Sequence, residues 1–168
     1  MSMLRFEERI RQVKWLKPLQ SRINSVWSND HGLDMDHDGR PWARDAGPKD
    51  RYAAEVGIQC TDTAEDGSIT ADLMVSSRHL NHHGMIHGGV LFTMAETAVT
   101  QSGRRLGIPC HPLDMSVSFL SPAGTGDRLS ARAEMLVVRR RMVVYTVKIV
   151  NQHRDLIAVC QATVLRMA

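Results

Sequence analysis

From Val90 to about Leu106, apolar and small residues recur at Val90, Leu91, Met94, Ala95, Ala98, Val99 and Leu106, the spacing of a helix with one buried stripe. Gly107 is placed to stop it. On both sides of this helix the period falls to two. From Tyr52 onward, Val56, Ile58 and Cys60, then an Asp66-Gly67 turn, then Ile69, Ala71, Leu73 and Val75 predict a β-hairpin. After the helix, Leu113, Met115, Val117 and Phe119 alternate with Asp114, Ser116 and Ser118 and run into a turn at Pro122, Gly124 and Gly126. Leu129, Ala131, Ala133, Met135 and Val137 predict the next strand, and Met142 to Val150 and Leu156 to Leu165 two more, parted by a turn at Asn151 to Asp155. The order is two strands, one long helix, four strands. A helix apolar on most sides is best buried by an antiparallel sheet wrapped around it, an α+β arrangement.

The first fifty residues read differently. Leu4, Phe6, Ile10, Val13, Leu16, Leu19, Ile23 and Val26 step by three or four, an amphipathic helix with a kink or break at Pro18. It needs a surface to lie on, either its own domain or a partner subunit, or a membrane met by Arg5, Arg9, Arg11, Lys14, Lys17 and Arg22. Gly32, Gly39, Pro41, Gly47 and Pro48 make Ser28 to Asp50 an irregular connection, of a length that can cover a site opening. Within it, Asp34-Met35-Asp36-His37-Asp38-Gly39 has the alternate oxygens of half a calcium loop, with Asp45 at the twelfth place; Pro41 and the lack of a following helix favour a solvated acidic turn. The expected division is 1–50, helix and connection, and 51–168, the folded domain.

A chain of 168 residues with 43% hydrophobic and 23% charged content suits one soluble domain. The net charge of +3 is too small for a nucleic-acid footprint unless clustered, and it clusters only at Arg104-Arg105 and Arg139-Arg140-Arg141. Those arginines serve either as solubilising charges at element ends or as an anion seat. Cys60, Cys110 and Cys160, odd in number and without a C-x-x-C pair, indicate neither a disulfide framework nor a zinc knuckle and fit a reducing cytoplasm. The N-terminus shows no long apolar run and no stretch approaches ~18 apolar residues, so neither a signal peptide nor a membrane span is expected.

The candidate chemistry sits where Asn81-His82-His83-Gly84-Met85-Ile86-His87-Gly88-Gly89 enters the long helix. Two glycines there leave the first helical amides unpaired and uncovered by a Cβ, an oxyanion hole in outline. Glu96 stands further along the helix among small and apolar residues, either as a buried acid or base or as part of a polar face with Thr93, Thr97 and Arg104. No G-x-S-x-G is present, and Gly84, Gly88 and Gly89 lack the Lys-Ser/Thr of a phosphate loop. His79, His82, His83 and His87 include a pair four apart that would suit zinc on a helix, but the intervening Gly84 and the place of the stretch ahead of the helix favour unpaired loop histidines.

These residues resemble the hotdog-fold acyl-CoA thioesterases, in particular the group that includes the phenylacetate-degradation thioesterases. Members carry an Asn, a His-Gly-Gly whose first glycine lies seven residues on, and an acid eight after that glycine; here these are Asn81, His87-Gly88-Gly89 and Glu96. The resemblance runs from about Val56 to the C-terminus and includes Asp114 to Ala123, similar to the strand and Ser-Pro-Ala bend of the family. It implies a hotdog fold and hydrolysis of an acyl-CoA thioester with no cofactor, coenzyme A being part of the substrate. The amide of Gly88 would hold the thioester oxygen, Glu96 would act as base or nucleophile, Asn81 would orient water or thioester, and His87 would hold the loop. Gly89 and Arg139-Arg140-Arg141 would meet the substrate. The chain has His111-Pro112-Leu113 where many relatives place a Ser or Thr, and Glu96 where many have Asp. A non-catalytic acyl-CoA binding module and a hotdog-fold dehydratase are the rival readings. Gly88 and Glu96 lie ~12 Å apart along one helix, so one carbonyl is served by both only if two helices meet across a two-fold axis, which implies a homodimer or a homotetramer.

Overall fold

The computed structural model describes residues 50–62, 69–105 and 110–166. Its elements are α1 (Arg51–Val56), β1 (Gln59–Asp62), β2 (Ile69–Met74), a one-turn 3-10 helix at Ser77–His79, α2 (Gly88–Arg105), β3 (Cys110–Phe119), β4 (Arg128–Val138), β5 (Met142–Val150) and β6 (Leu156–Arg166). The six strands form one antiparallel sheet in the order β1-β2-β4-β5-β6-β3, with α2 packed across it. This is the expected hotdog arrangement. The readings made on the N-terminal amphipathic helix, the Asp34 to Asp45 loop, the Asp66-Gly67 turn and Gly107 lie outside the described residues.

The sheet can wrap α2 because both surfaces are lined with small side chains where they meet. Ala95 and Ala98 on the helix and Ala71, Ala131, Ala158 and Ala162 on the strands are all fully buried, while Met94, Val99, Leu129, Val147 and Ile149 fill the space between them. Each such larger side chain contributes about 1.5–3 kcal/mol on burial. In β5 the alternation is strict, with Val143, Tyr145, Val147 and Ile149 inside.

Three local expectations need correction. The run from Tyr52 is not yet strand: Asp50 Oδ1 accepts the Ala53 amide at 2.9 Å, and Gly57, at φ +93°, closes the turn with its own amide on the carbonyls of Ala53 and Ala54. An N-cap at Asp50 and a left-handed C-cap at Gly57, directly flanking the six-residue helix, outweigh the period-two pattern that Val56, Ile58 and Cys60 suggested, and Cys60 is exposed. In β3 the register slips between Pro112 and Asp114, leaving Leu113 as a bulge, 59% exposed. A second bulge at Leu136 turns Leu136 and Val137 outward near the end of β4.

Candidate active site

The loop ahead of α2 is a closed structure built from its own backbone. Leu80 and Ile86 form an isolated bridge, and inside it the Asn81 amide donates to the Met85 carbonyl at 2.7 Å and the Gly84 amide to the Asn81 carbonyl at 3.0 Å. Gly84 takes φ +76°, a left-handed turn position that glycine adopts without strain. The Asn81 side-chain oxygen accepts from the amides of His83 at 2.9 Å and Met85 at 3.3 Å, so it holds the turn and leaves the Nδ2 hydrogens for other partners.

Two bonds carry this loop on the core. The Ile86 amide donates to the Ala123 carbonyl at 2.8 Å, anchoring it on the Ser-Pro-Ala bend, and the His87 amide donates to the His79 carbonyl at 2.8 Å. His79 is itself buried. Its Nδ1 accepts the Ser76 amide at 3.0 Å, which puts the proton on Nε2, and Nε2 donates to the Val56 carbonyl at 2.9 Å. One imidazole thereby joins the end of α1 to the base of the loop. This histidine is a structural strut, a role that the spacing of the histidines did not indicate.

At the helix start the two glycines differ. The Gly89 amide donates to His87 Nδ1 at 2.9 Å and is therefore spent, which corrects the expectation of two open amides. The Gly88 amide meets no acceptor among the described residues. Phe119, from the end of β3, stands against it: a Cβ built on Gly88 would lie 2.9 Å from Phe119 Cζ. Any larger residue here would have to push the ring aside, a non-local constraint with no signal in the loop sequence.

Glu96 lies two turns further on, half-buried, in the wall of a cavity of about 340 Å³ shared with Phe92, His111, Leu113, Asp114 and Met115. Burial pushes its carboxyl above the usual glutamate range, Asp50 at the cap of α1 pushes it the same way, and His111 opposes them. The polar-face alternative for Thr97 is wrong: Thr97 is 1% exposed, and its hydroxyl has no partner among the described residues. Asp50 was missed because it belongs to an element the periodicity did not reveal.

The Gly88 and Glu96 halves sit at opposite ends of β3, Gly88 at Phe119 and Glu96 at His111 to Met115. They are not brought together within one chain. Arg139, Arg140 and Arg141 form the exposed β4–β5 turn, with Arg139 Nη1 on the Val138 carbonyl at 3.2 Å. Met142 pairs with Leu165, and Leu165 with His111, so this turn is at the Glu96 end of the sheet, two strands from β3. Among the described residues no three His, Cys, Asp or Glu side chains gather as a metal site.

The thioesterase superfamily matches the chain over residues 83–158. The acyl-coenzyme A thioesterase PaaI of Escherichia coli is 30% identical over 65% of this chain and 77% of its own length. Among solved structures, the E. coli PaaI protein of the phenylacetic acid degradation operon superposes with a TM-score of 0.66 at 27% identity, covering 71% of this chain and 86% of that one. The TT0310 protein of Thermus thermophilus superposes with a TM-score of 0.65 at 30% identity, covering 71% and 99%. The wrapped helix, the Asn81 to Gly89 loop and these likenesses agree, and the chain belongs to the thioesterase superfamily as a PaaI-like, hotdog-fold thioester hydrolase.

Proposed function

We propose that the protein hydrolyses acyl-CoA thioesters in a site completed by two subunits, with the Gly88 amide of one and Glu96 of the other. The observation that carries this reading is the pairing of a helical amide at Gly88, without an acceptor among the described residues, with a half-buried carboxyl at Glu96 whose pKa is raised by burial. The amide, at the positive end of α2, stabilises the charge that grows on the thioester oxygen during attack, an effect typically worth ~3 kcal/mol. Glu96 takes a proton from water as the water oxygen bonds to the carbonyl carbon; collapse breaks the C–S bond, and the coenzyme A thiolate leaves and is protonated. Attack by the carboxylate itself, through an anhydride, is the alternative chemistry at the same residue. The Nδ2 group of Asn81 orients the water or the thioester, and His87 holds the loop.

The two-subunit arrangement follows from distance. The ~12 Å between Gly88 and Glu96 along α2 exceeds the ~3 Å reach of a base to its water. β3 is an edge strand carrying the exposed Leu113 and Phe119, so a second copy laid antiparallel against it would bring each Gly88 toward the other chain's Glu96. The exposed arginines at 139–141 then offer phosphate contacts for coenzyme A at the Glu96 end. The test is mass-spectrometric release of free coenzyme A from a panel of acyl-CoAs. Release at enzymatic rates supports the reading. Tight acyl-CoA binding without release would assign the fold to a non-catalytic binding role.

A further inference from the structure

Two further ionisable side chains, His111 and Asp114, line the cavity around Glu96. Five successive residues of β3, from His111 to Met115, line it. A regular strand turns alternate side chains to opposite faces, so five in a row around one cavity is out of keeping with plain alternation. The slip of register at Leu113 is what permits it, since a bulge re-aims the side chains beside it. His111 is thereby set on the same cavity as Glu96, on an edge strand and exposed.

We propose that His111 is a positioning residue for Glu96, its imidazolium facing the carboxylate across their shared cavity and holding it in the ionised form that base catalysis needs. The inference rests on Glu96 being the base. The charges around Glu96 make the need for such a group plain. Asp50 approaches from the N-terminus of α1 and disfavours a second negative charge, and Asp114 lines the same cavity from β3. On α2 itself the neighbours one turn away, Phe92, Thr93, Val99 and Thr100, are uncharged. Arg104, further along α2, acts on Cys60 rather than on Glu96. Among the residues lining the cavity, His111 is the one able to carry positive charge, and histidine gains or loses it near neutrality. Its effect on Glu96 is opposite in sign to both burial and Asp50.

The test has two arms. In the first, kcat/KM is followed against pH for wild type, His111→Gln and His111→Lys. Loss of the cation in His111→Gln should move the acid limb to higher pH by about one unit, making activity at a fixed pH on that limb about tenfold lower, while His111→Lys should leave the limb at or below its wild-type position. An unmoved limb in a folded His111→Gln protein, or a limb displaced equally by Lys, overturns the proposal. In the second arm the His111 imidazole of the full-length protein is titrated by NMR with and without Glu96→Gln. Removing the carboxylate should lower the imidazole midpoint, and an unchanged midpoint overturns the pairing whether or not the variants at position 111 fold. Full activity in Glu96→Gln with a displaced His111 midpoint would refute the base assignment while leaving the pairing in place, so the two failures are distinguishable.

Discussion

The ring of Phe119 closes over the α-carbon of Gly88, with Phe119 Cζ 2.9 Å from where a Cβ would stand. Gly88→Ala therefore forces the ring aside. Phe119 is 57% exposed and can swing outward, so the fold should tolerate the change and Tm should move by only a few degrees. The displaced ring and the added methyl both crowd the Gly88 amide. We expect kcat/KM to fall by at least about tenfold, and Phe119→Ala combined with Gly88→Ala to recover part of the loss. A variant with wild-type kcat/KM would show that the Gly88 amide is not the oxyanion donor.

Glu96→Gln keeps the side-chain shape and removes the base. Its kcat should fall by about two orders of magnitude with substrate affinity nearly unchanged. The same substitution has an opposite effect on stability. Because the native carboxyl titrates above its unfolded value, the contribution of Glu96 to folding is fully present below the unfolded pKa and is lost as pH rises through the higher native pKa. Glu96→Gln should then melt above wild type at pH 7, and the gap should close as pH falls toward 4. Thermal melts across that range check the sign.

Asn81→Ala and Glu96→Ala, each nearly inactive alone, should regain activity when refolded together. Random mixing makes about half the dimers mixed, each with one intact site of two, so recovery should approach roughly a quarter of wild type. Mixed dimers confirmed by native mass spectrometry but without turnover would place each site within a single chain.

His79→Ala leaves the Ser76 amide without its buried imidazole acceptor, while the Val56 carbonyl keeps the Arg78 Nη2 donor at 3.1 Å. An orphaned amide costs about 1–3 kcal/mol unless water enters, so Tm should fall by several degrees and the Asn81 to Gly89 loop should lose the tie between its base and α1. Hydrogen exchange at the His87 amide, now bonded to the His79 carbonyl, reports the second effect. Unchanged protection there would mean that the loop keeps its bond to residue 79 without the imidazole.

The element order, the place of the long helix and the buried faces of β2, β5 and the first half of β4 were legible along the chain, because each depends on a period repeated over several residues against one core. So was the placing of Asn81 in the loop, Gly88 at the helix start and Glu96 two turns on, since that spacing is a local property. The short helix at Arg51–Val56 was not legible: its cap at Asp50 and its stop at Gly57 are single residues set against a longer apolar alternation.

What only the tertiary structure decided lies where distant segments meet. The fate of the two glycine amides depends on the rotamer of His87, and the closure over Gly88 on a phenylalanine thirty-one residues away. The setting of Glu96 depends on Asp50 and His111, brought in by a helix cap and a bulged edge strand. Periodicity reports which side of an element is buried, since the hydrophobic effect acts on area without direction. Hydrogen bonds, ring contacts and the charges around a carboxylate are directional and short in range, so they are settled only when the chain has folded and the partners are in place.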